Sequence, residues 1–396
     1  MAETSIIKPR IESIDILRGL VMVIMALDHV RDYFHETAML ADPLDLKTTT
    51  PFLYFTRWIT HFCAPVFVFL AGTSVYLMRK KKSNREVSIF LIKRGLWLML
   101  IEITFVTLGW TFNPLFNLII LQVIWAIGIS MVLLGILIHL PYRILLLIGL
   151  VIVFGHNLLD FPEADRDGKV GLLWDLVHRG NFSLYALDTT HFVMIVYAFL
   201  PWLGVMILGY CLGKLYEPIV DPVRRKKILL LLGTGLLAVF VIVRALNGYG
   251  DPSHWSEQKD TFHTFLSFIK FSKYPPSLFF VSMTIGVALI LLAFMEGKQN
   301  RMLKWAKVYG RVPFFYYVLH LYLIHALCVI VFFVSGYGVK DIVSPQTPFL
   351  FRPAAFGYSL PVVYLIWIVV VALLYPVCRW YNRYKSTHHH WWLNYL

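Results

Sequence analysis

Long apolar stretches with few charges dominate the chain, and they restrict its fold more than any other feature. Several of them exceed the roughly 18 residues that an α-helix needs to cross the hydrocarbon core of a bilayer. They are continuous, whereas the strands of a membrane barrel alternate over about ten residues. A charged fraction of only 15% and a mean hydropathy of +0.68 agree with this interpretation. The sequence therefore predicts an all-α, polytopic membrane protein.

The apolar stretches predict about ten transmembrane helices (10–11) in a single integral-membrane domain over residues 1–396. An even number of helices puts both termini on the same side of the membrane. We expect the ten spans at 14–34, 53–78, 89–110, 114–139, 142–158, 191–213, 227–246, 275–296, 312–335 and 358–380.

Basic residues concentrate in three blocks between the predicted spans, at 79–85, 223–227 and 301–311. The positive-inside rule places these blocks and both termini in the cytoplasm. Because topology accounts for most of the net charge of +13, we expect no nucleic-acid partner. We expect a multi-pass protein of a bacterial inner (cytoplasmic) membrane, in which such a bundle could also pair as a homodimer.

Two larger extracytoplasmic loops are predicted, at 159–190 and 247–274. Their aromatic residues Trp174, Tyr185 and Trp255 could form a platform for a hydrophilic substrate such as a sugar, or the loops could simply cover the bundle. The four cysteines all lie in apolar runs and show no spacing typical of a metal site or a disulfide framework. We therefore expect no metal.

The first predicted span is unusual because it carries Arg18 near its start and His29 near its end. Ionisable residues at membrane depth are costly and usually face the interior of the bundle. Arg18 and His29 are eleven residues apart. In an α-helix this separation corresponds to about three full turns plus about 20° and to a rise of ~16 Å, so the two residues share one face. Asp28 and Asp32 neighbour His29, and either could orient its ring.

Other spans add polar residues at similar depth. Arg57 and His61 lie one helical turn apart, and they could orient an acceptor or stabilise an oxyanion. The catalytic candidates are His29, His61, Asp28 and Asp32. The candidates for binding a donor are Arg18, Arg57, Gln122 and Glu102. Each of these candidates also has a purely structural interpretation. An arginine can extend its charged group to the membrane interface, and a histidine can form a hydrogen bond between helices. The same interpretation applies to His320 and His325.

The pair of Arg18 and His29 suggests a chemistry. A histidine can remove a proton from an alcohol or amine near neutral pH, and an arginine beside basic loops suits a polyanion. An acyl-CoA has phosphates at one end and a thioester at the end of a long pantetheine arm, which is roughly long enough to bridge ~16 Å. Motifs for nucleotide hydrolysis, dinucleotide redox chemistry and standard hydrolases are absent from the sequence.

Five segments resemble the heparan-alpha-glucosaminide N-acetyltransferase-like transmembrane acyltransferases in their shorter prokaryotic form. The Arg–x10–His spacing of Arg18 and His29 is also similar to the signature of the wider acyltransferase-3 group. The resemblance implies a helical bundle, acetyl-CoA or another acyl-CoA as the donor, and a sugar amine or hydroxyl as the acceptor. It also implies that His29 is catalytic and that Arg18 binds the donor. The segments are SIDILRGLVMVIMALDH (13–29), FCAPVFVFLAGTS (62–74), LQVIWAIGIS (121–130), LPWLGVMILGY (200–210) and FFYYVLHLYLIH (314–325).

The sequence favours two functions, and a non-catalytic assembly or sensory membrane protein is a third alternative that stays open. The first is a membrane acyltransferase, with His29 as a general base or as a transient carrier of the acyl group. It would move an acyl group from cytoplasmic acyl-CoA to an extracytoplasmic glycan or amino sugar. The alternative is a transporter or flippase of a polar or lipid-linked solute, in which the buried charges would form a substrate or proton path.

Overall fold

The computed structural model describes residues 11–164, 170–298, 301–388 and 390–394, and these residues are mostly helical. The α-helices are α1 (Glu12–Phe34), α2 (Pro51–Thr60), α3 (Cys63–Arg79), α4 (Asn84–Ile101), α5 (Thr107–Thr111), α6 (Val123–Leu137), α7 (Tyr142–Gly155), α8 (Asp160–Ala164), α9 (Leu172–Val177), α10 (Phe199–Leu212), α11 (Pro222–Leu246), α12 (Thr261–Ile269), α13 (Leu278–Met295), α14 (Arg301–Arg311), α15 (Pro313–Val334) and α16 (Leu360–Thr387). A π-helical turn, Glu102–Val106, joins α4 to α5.

Local sequence signals explain where several of these helices begin. The Ser83 side chain accepts a hydrogen bond from the backbone of Glu86, whose carboxylate accepts one from Ser83 in return, so a capping box starts α4. The Asp221 side chain caps α11 by accepting a hydrogen bond from the backbone N–H of Arg224, and Pro222 occupies the first turn, where a missing backbone N–H costs nothing. Ser277 caps α13. These caps set the register in which each apolar stretch enters the bundle.

Helix α1 forms the centre of the bundle and packs against α2, α3, α13, α14, α15 and α16. Its contact with α14 depends on two glycines. A Cβ atom added to Gly19 would lie 1.9 Å from the carbonyl oxygen of Ala306, and one added to Gly310 would lie 1.7 Å from that of Asp15. Small residues allow this close backbone approach between helices, which fixes α14 beside the first turns of α1.

Seven helical segments of the described chain are long and apolar enough to cross a membrane, so the chain is a multi-pass membrane protein. These segments are Pro51–Arg79, Tyr142–Ala164, Phe199–Tyr216, Pro222–Leu246, Leu278–Met295, Pro313–Val334 and Leu360–Thr387. Each of the ten predicted spans contains a helix, but charged residues interrupt α1 and α4, and α6 is short. The count of ten spans and the side of the termini stay predictions.

The two predicted loops contain short ordered elements. The first holds α8, α9 and strand β2 (Ser183–Ala186), with residues 165–169 outside the described part, and the second holds α12. Strand β3 (Phe192–Ile195) pairs in parallel with β1 (Leu118–Leu121) and antiparallel with β2.

The three aromatic residues of the predicted platform form hydrogen bonds within these loops or to the adjoining helix. The indole of Trp174 donates to Glu163 at 2.6 Å, and the Tyr185 hydroxyl donates to Asp175 at 2.5 Å. The Trp255 indole donates to the carbonyl of Arg244 at 2.9 Å. Their polar atoms therefore order the loops, and their use as a sugar platform stays a prediction.

Candidate active site

A cavity of about 1560 Å³ extends along α1 inside the bundle. Asp15, Arg18, Met22, Met25 and His29 all line it, and their spacing of three or four residues makes one continuous stripe of the helix. The stripe from Asp15 to His29 is ~21 Å long at the helical rise. One cavity therefore reaches both the arginine and the histidine of the first predicted span.

The end of the cavity near the start of α1 is strongly basic. Arg18 is held there by hydrogen bonds from Nη2 to the Ser74 hydroxyl at 3.0 Å and from Nη1 to the Gly310 carbonyl at 3.4 Å. The guanidinium also lies 3.4 Å from Asp15. Such a concentration of cations suits a polyanionic ligand. The other cationic residues that line this end are Lys80, Lys81, Arg94, Arg311 and Lys385.

An acidic residue at the same end is already paired. Glu217 lies 2.7 Å from the ammonium group of Lys80 and accepts a hydrogen bond from the Tyr76 hydroxyl. The hydrogen bond from Lys80, reinforced by that from Tyr76, lowers the pKa of the Glu217 carboxyl below its ordinary value. Glu217 therefore stays ionised at neutral pH and offsets one of the positive charges.

His29 lies toward the other end and pairs with a second histidine. Its Nδ1 atom is 2.6 Å from Nε2 of His320 on α15. The Trp110 ring meets the His29 ring edge-on, with the centroids 4.7 Å apart. Within the described residues, Nε2 of His29 has no hydrogen-bond partner. This nitrogen is therefore the one available to a molecule in the cavity.

A network of ion pairs surrounds Asp28, the residue before His29. Arg57 Nη1 donates to both carboxylate oxygens of Asp28, at 2.7 and 2.5 Å, and the Thr60 hydroxyl donates to one of them at 2.9 Å. Arg31 bridges Asp28 at 3.0 Å and Asp32 at 2.5 Å. In the described structure neither carboxylate forms a hydrogen bond to the His29 ring, so neither aspartate orients that ring by direct contact.

Lys273 is a cavity residue that the sequence did not single out. Its ammonium group lies over the rings of Tyr197 and Tyr274, 5.9 and 5.2 Å from the centroids, and it has no acidic partner in the described ranges. The cavity lining near His29 thus holds Arg31, Arg57 and Lys273 against two aspartates. A single lysine in a polar loop gives no sequence signal that it reaches the cavity.

Two of the donor-binding candidates lie next to each other. A Glu102 carboxylate oxygen accepts a hydrogen bond from the backbone N–H of Gln122 at 2.9 Å, directly before α6. Glu102 is fully buried in the π-helical turn, and it is not a lining residue, whereas Gln122 lines the cavity. Glu102 therefore accepts a hydrogen bond at the start of α6, and the donor-binding roles of Glu102 and Gln122 stay predictions.

His61 and His325 lie away from the cavity lining. The His61 ring packs against Phe271 and Phe280, with centroids 5.5 Å away in both cases. His325 stacks on Phe112 at 3.7 Å and forms a hydrogen bond with the carbonyl of Leu350. The catalytic role predicted for His61 remains a prediction, and the surroundings of His325 are those of a residue that joins helices.

One cluster in the described residues has the spacing of a metal site. Potential ligand atoms of Asp160, Glu163 and His178 lie within 4.8 Å of one another. His178 Nδ1 is 2.5 Å from the Glu163 carboxylate, and His178 Nε2 is 3.1 Å from His156. Hydrogen bonds to Glu163, within the cluster, and to His156, outside it, therefore already occupy both nitrogens of His178. None of these residues lines the cavity.

The apolar helices define a polytopic membrane protein. The cavity inside its bundle has cations at one end and a histidine pair at the other, and it is the candidate active site. The chain belongs to the family described as heparan-alpha-glucosaminide N-acetyltransferase, catalytic, whose model matches residues 10–244. This confirms the resemblance found in the sequence and identifies the chain as a member of an acetyltransferase family. No individual curated protein matches the chain. The matched residues include Arg18 and His29, while His320 lies beyond them.

Proposed function

We propose that the protein is a membrane-embedded acyltransferase that moves an acetyl or other acyl group from acyl-CoA to a sugar amine or hydroxyl. The family contributes the class of reaction. The observation that carries the proposal is the single cavity that reaches both Arg18 and His29. A donor with its charge at one end and its reactive carbon at the other fits such a cavity.

The basic end of the cavity would hold the phosphates of the donor. Arg18, Lys81, Arg94 and Arg311 offer charge-assisted hydrogen bonds. The pantetheine arm would then lie along the apolar part of the stripe, past Met22 and Met25, and place the thioester near His29. The rise of α1 between Arg18 and His29, ~16 Å, matches an extended arm of this kind.

The chemistry at His29 is a balanced acyl transfer. The Nε2 atom of His29 removes a proton from the acceptor amine or hydroxyl as that atom attacks the thioester carbonyl carbon. The new C–N or C–O bond forms, the C–S bond breaks, and the proton on His29 passes to the departing thiolate of CoA. In the two-step variant, Nε2 attacks the thioester carbonyl carbon first, the C–S bond breaks, and CoA leaves as its thiolate. The acceptor then attacks the acyl carbon, the C–Nε2 bond breaks, and the acceptor's proton passes to the thiolate.

Negative charge develops on the thioester oxygen during either route. Lys273 is the cation near His29 that lacks an acidic partner in the described structure, since Arg57 and Arg31 are engaged by aspartates. A preorganised positive charge in a site that excludes water stabilises an oxyanion strongly. We assign this role to Lys273 and assign to Arg57 the fixing of Asp28.

The basic end of the cavity would face the cytoplasm, where acyl-CoA is made. The basic blocks 79–85 and 301–311 flank that end, in accord with the positive-inside rule. The acceptor would then enter from the opposite side of a bacterial inner membrane. Labelling of single cysteines introduced at Lys82 and Asp188 by an impermeant thiol reagent, in a variant without native cysteines, tests this orientation.

Acyl-CoA turnover by the purified protein tests the proposal. The protein in nanodiscs is incubated with radiolabelled acetyl-CoA and a panel of amino sugars and neutral sugars, with CoA release followed by a thiol reagent. We expect acetyl-CoA to bind and label to appear on an acceptor. Absence of both binding and turnover, together with solute movement in proteoliposomes, would favour the transporter or flippase instead.

A further inference from the structure

We infer that His320 is a positioning residue that holds His29 in the tautomer with a free electron pair on Nε2. The inference rests on the proposed function, because it assigns a partner to the proposed base. It goes beyond the family match, which ends at residue 244, and beyond the residues that the sequence selected as catalytic. It depends on three hydrogen-bonding groups in a row: the Tyr316 carbonyl, the His320 ring and the His29 ring.

The row begins at a backbone carbonyl, which can only accept. Nδ1 of His320 lies 3.1 Å from the carbonyl oxygen of Tyr316, one turn earlier in α15. Nδ1 of His320 must therefore carry the proton and donate it. A neutral imidazole has one N–H, so Nε2 of His320 has an electron pair and acts as the acceptor.

The same donor–acceptor argument fixes the position of the proton on His29. Its Nδ1 atom lies 2.6 Å from Nε2 of His320, and two electron pairs at that distance would repel each other. Nδ1 of His29 must therefore donate its N–H to His320, and its electron pair is left on Nε2. The proton thus sits on the nitrogen that faces His320, and the basic nitrogen is the one without a partner among the described residues.

Packing holds both rings in this arrangement. The His320 ring is fully buried and lies parallel to the Tyr316 ring, with the centroids 5.3 Å apart. It is nearly coplanar with the His29 ring, at an angle of 19° and with the centroids 4.8 Å apart, as an in-plane N–H···N hydrogen bond requires. The Trp110 ring packs edge-on against the His29 ring, the other member of the histidine pair. When Nε2 of His29 takes a proton, His320 continues to accept from Nδ1 and so stabilises the imidazolium that forms. No other proton has to move.

His320→Leu and His320→Gln separate positioning from packing. Leucine fills space but cannot accept a hydrogen bond, whereas the glutamine amide oxygen can occupy the place of Nε2. We expect kcat for acetyl transfer to fall at least about tenfold in His320→Leu, as part of the ~10²–10⁴-fold contribution of a general base. KM for acetyl-CoA should change less than threefold, and His320→Gln should regain much of kcat. The acid limb of the pH–kcat profile should move to lower pH in His320→Leu.

His325→Leu is the matched control, because His325 is also a buried histidine of α15 and does not contact His29. It should lower thermal stability without moving the acid limb. The inference is overturned if His320→Leu retains wild-type kcat, or if kcat falls without any change in the pH profile and without rescue by glutamine. Failure of the wild-type protein to use acetyl-CoA would instead remove the proposed function, so the two failures are distinguishable.

Discussion

Arg57 on α2 and Asp28 on α1 form an ion pair in which one guanidinium nitrogen lies 2.7 and 2.5 Å from the two carboxylate oxygens. Both side chains are largely buried, 14% and 9% exposed. The pair joins two helices directly beside His29. Without Arg57, the buried Asp28 carboxylate keeps Arg31 at 3.0 Å as its remaining cationic partner among the described residues.

Loss of this ion pair should destabilise the protein. Arg57→Met keeps much of the side-chain volume and removes the charge. Because Arg31 still pairs with Asp28, we expect a loss of about 1.5–3 kcal/mol of stability, the range for lost hydrogen bonds to a charged group. Thermal unfolding in detergent, followed by tryptophan fluorescence, measures it. Asp28→Asn combined with Arg57→Met should recover part of that loss. Equal stability of Arg57→Met and the wild type would show that the pair does not hold α1 to α2.

Arg18 should act on binding of the donor. Arg18→Ala removes charge-assisted hydrogen bonds of about 1.5–3 kcal/mol each, so we expect KM for acetyl-CoA to rise roughly 10- to 100-fold, with little change in kcat. Arg143→Ala, an exposed arginine outside the cavity lining, is the control and should leave KM unchanged. Equal effects of the two variants would mean that Arg18 does not contact the donor.

The contact of α14 with α1 should tolerate no side chain at Gly310. The carbonyl oxygen of Asp15 would lie 1.7 Å from a Cβ there, so Gly310→Leu must push the helices apart beside Arg18. We expect a loss of about 1–3 kcal/mol of stability or more and weaker binding of CoA. Gly235→Leu on α11, where nothing lies within 4 Å, should be tolerated. Calorimetric binding of CoA and thermal unfolding of both variants compare them.

His61 should contribute to packing more than to chemistry. Its ring contacts Phe271 and Phe280 and lies outside the cavity lining. We expect His61→Phe to keep kcat per folded molecule within about threefold, because a step at His29 needs no group at this position. A loss comparable to that caused by His29→Ala would instead support the catalytic role predicted from the sequence. Steady-state kinetics normalised to the folded fraction decide between them.

Helical periodicity was enough to place Arg18 and His29 on one face of α1, because spacing along a helix fixes direction around its axis. The structure puts both residues on one cavity. The helical class of the fold followed from apolar length alone. These features are local, and a sequence contains them directly.

Contacts between distant segments could not be predicted in the same way. His29 and His320 are 291 residues apart, and nothing in either local pattern states that α1 and α15 meet. The position of Lys273 depends on how a loop folds over the cavity. His61 lies outside the cavity lining because its ring packs against Phe271 and Phe280, which come from distant parts of the chain. Tertiary packing decides these contacts.

The central claim is that His29 performs proton transfer or acyl transfer at the end of a donor-binding cavity. The most direct measurement compares His29→Ala with the wild type in two assays on the same preparation: transfer of the acetyl group and equilibrium binding of CoA. We expect transfer to fall about 10²–10⁴-fold while the dissociation constant for CoA changes less than threefold. Undiminished transfer by a folded His29→Ala protein that binds CoA normally would contradict the account.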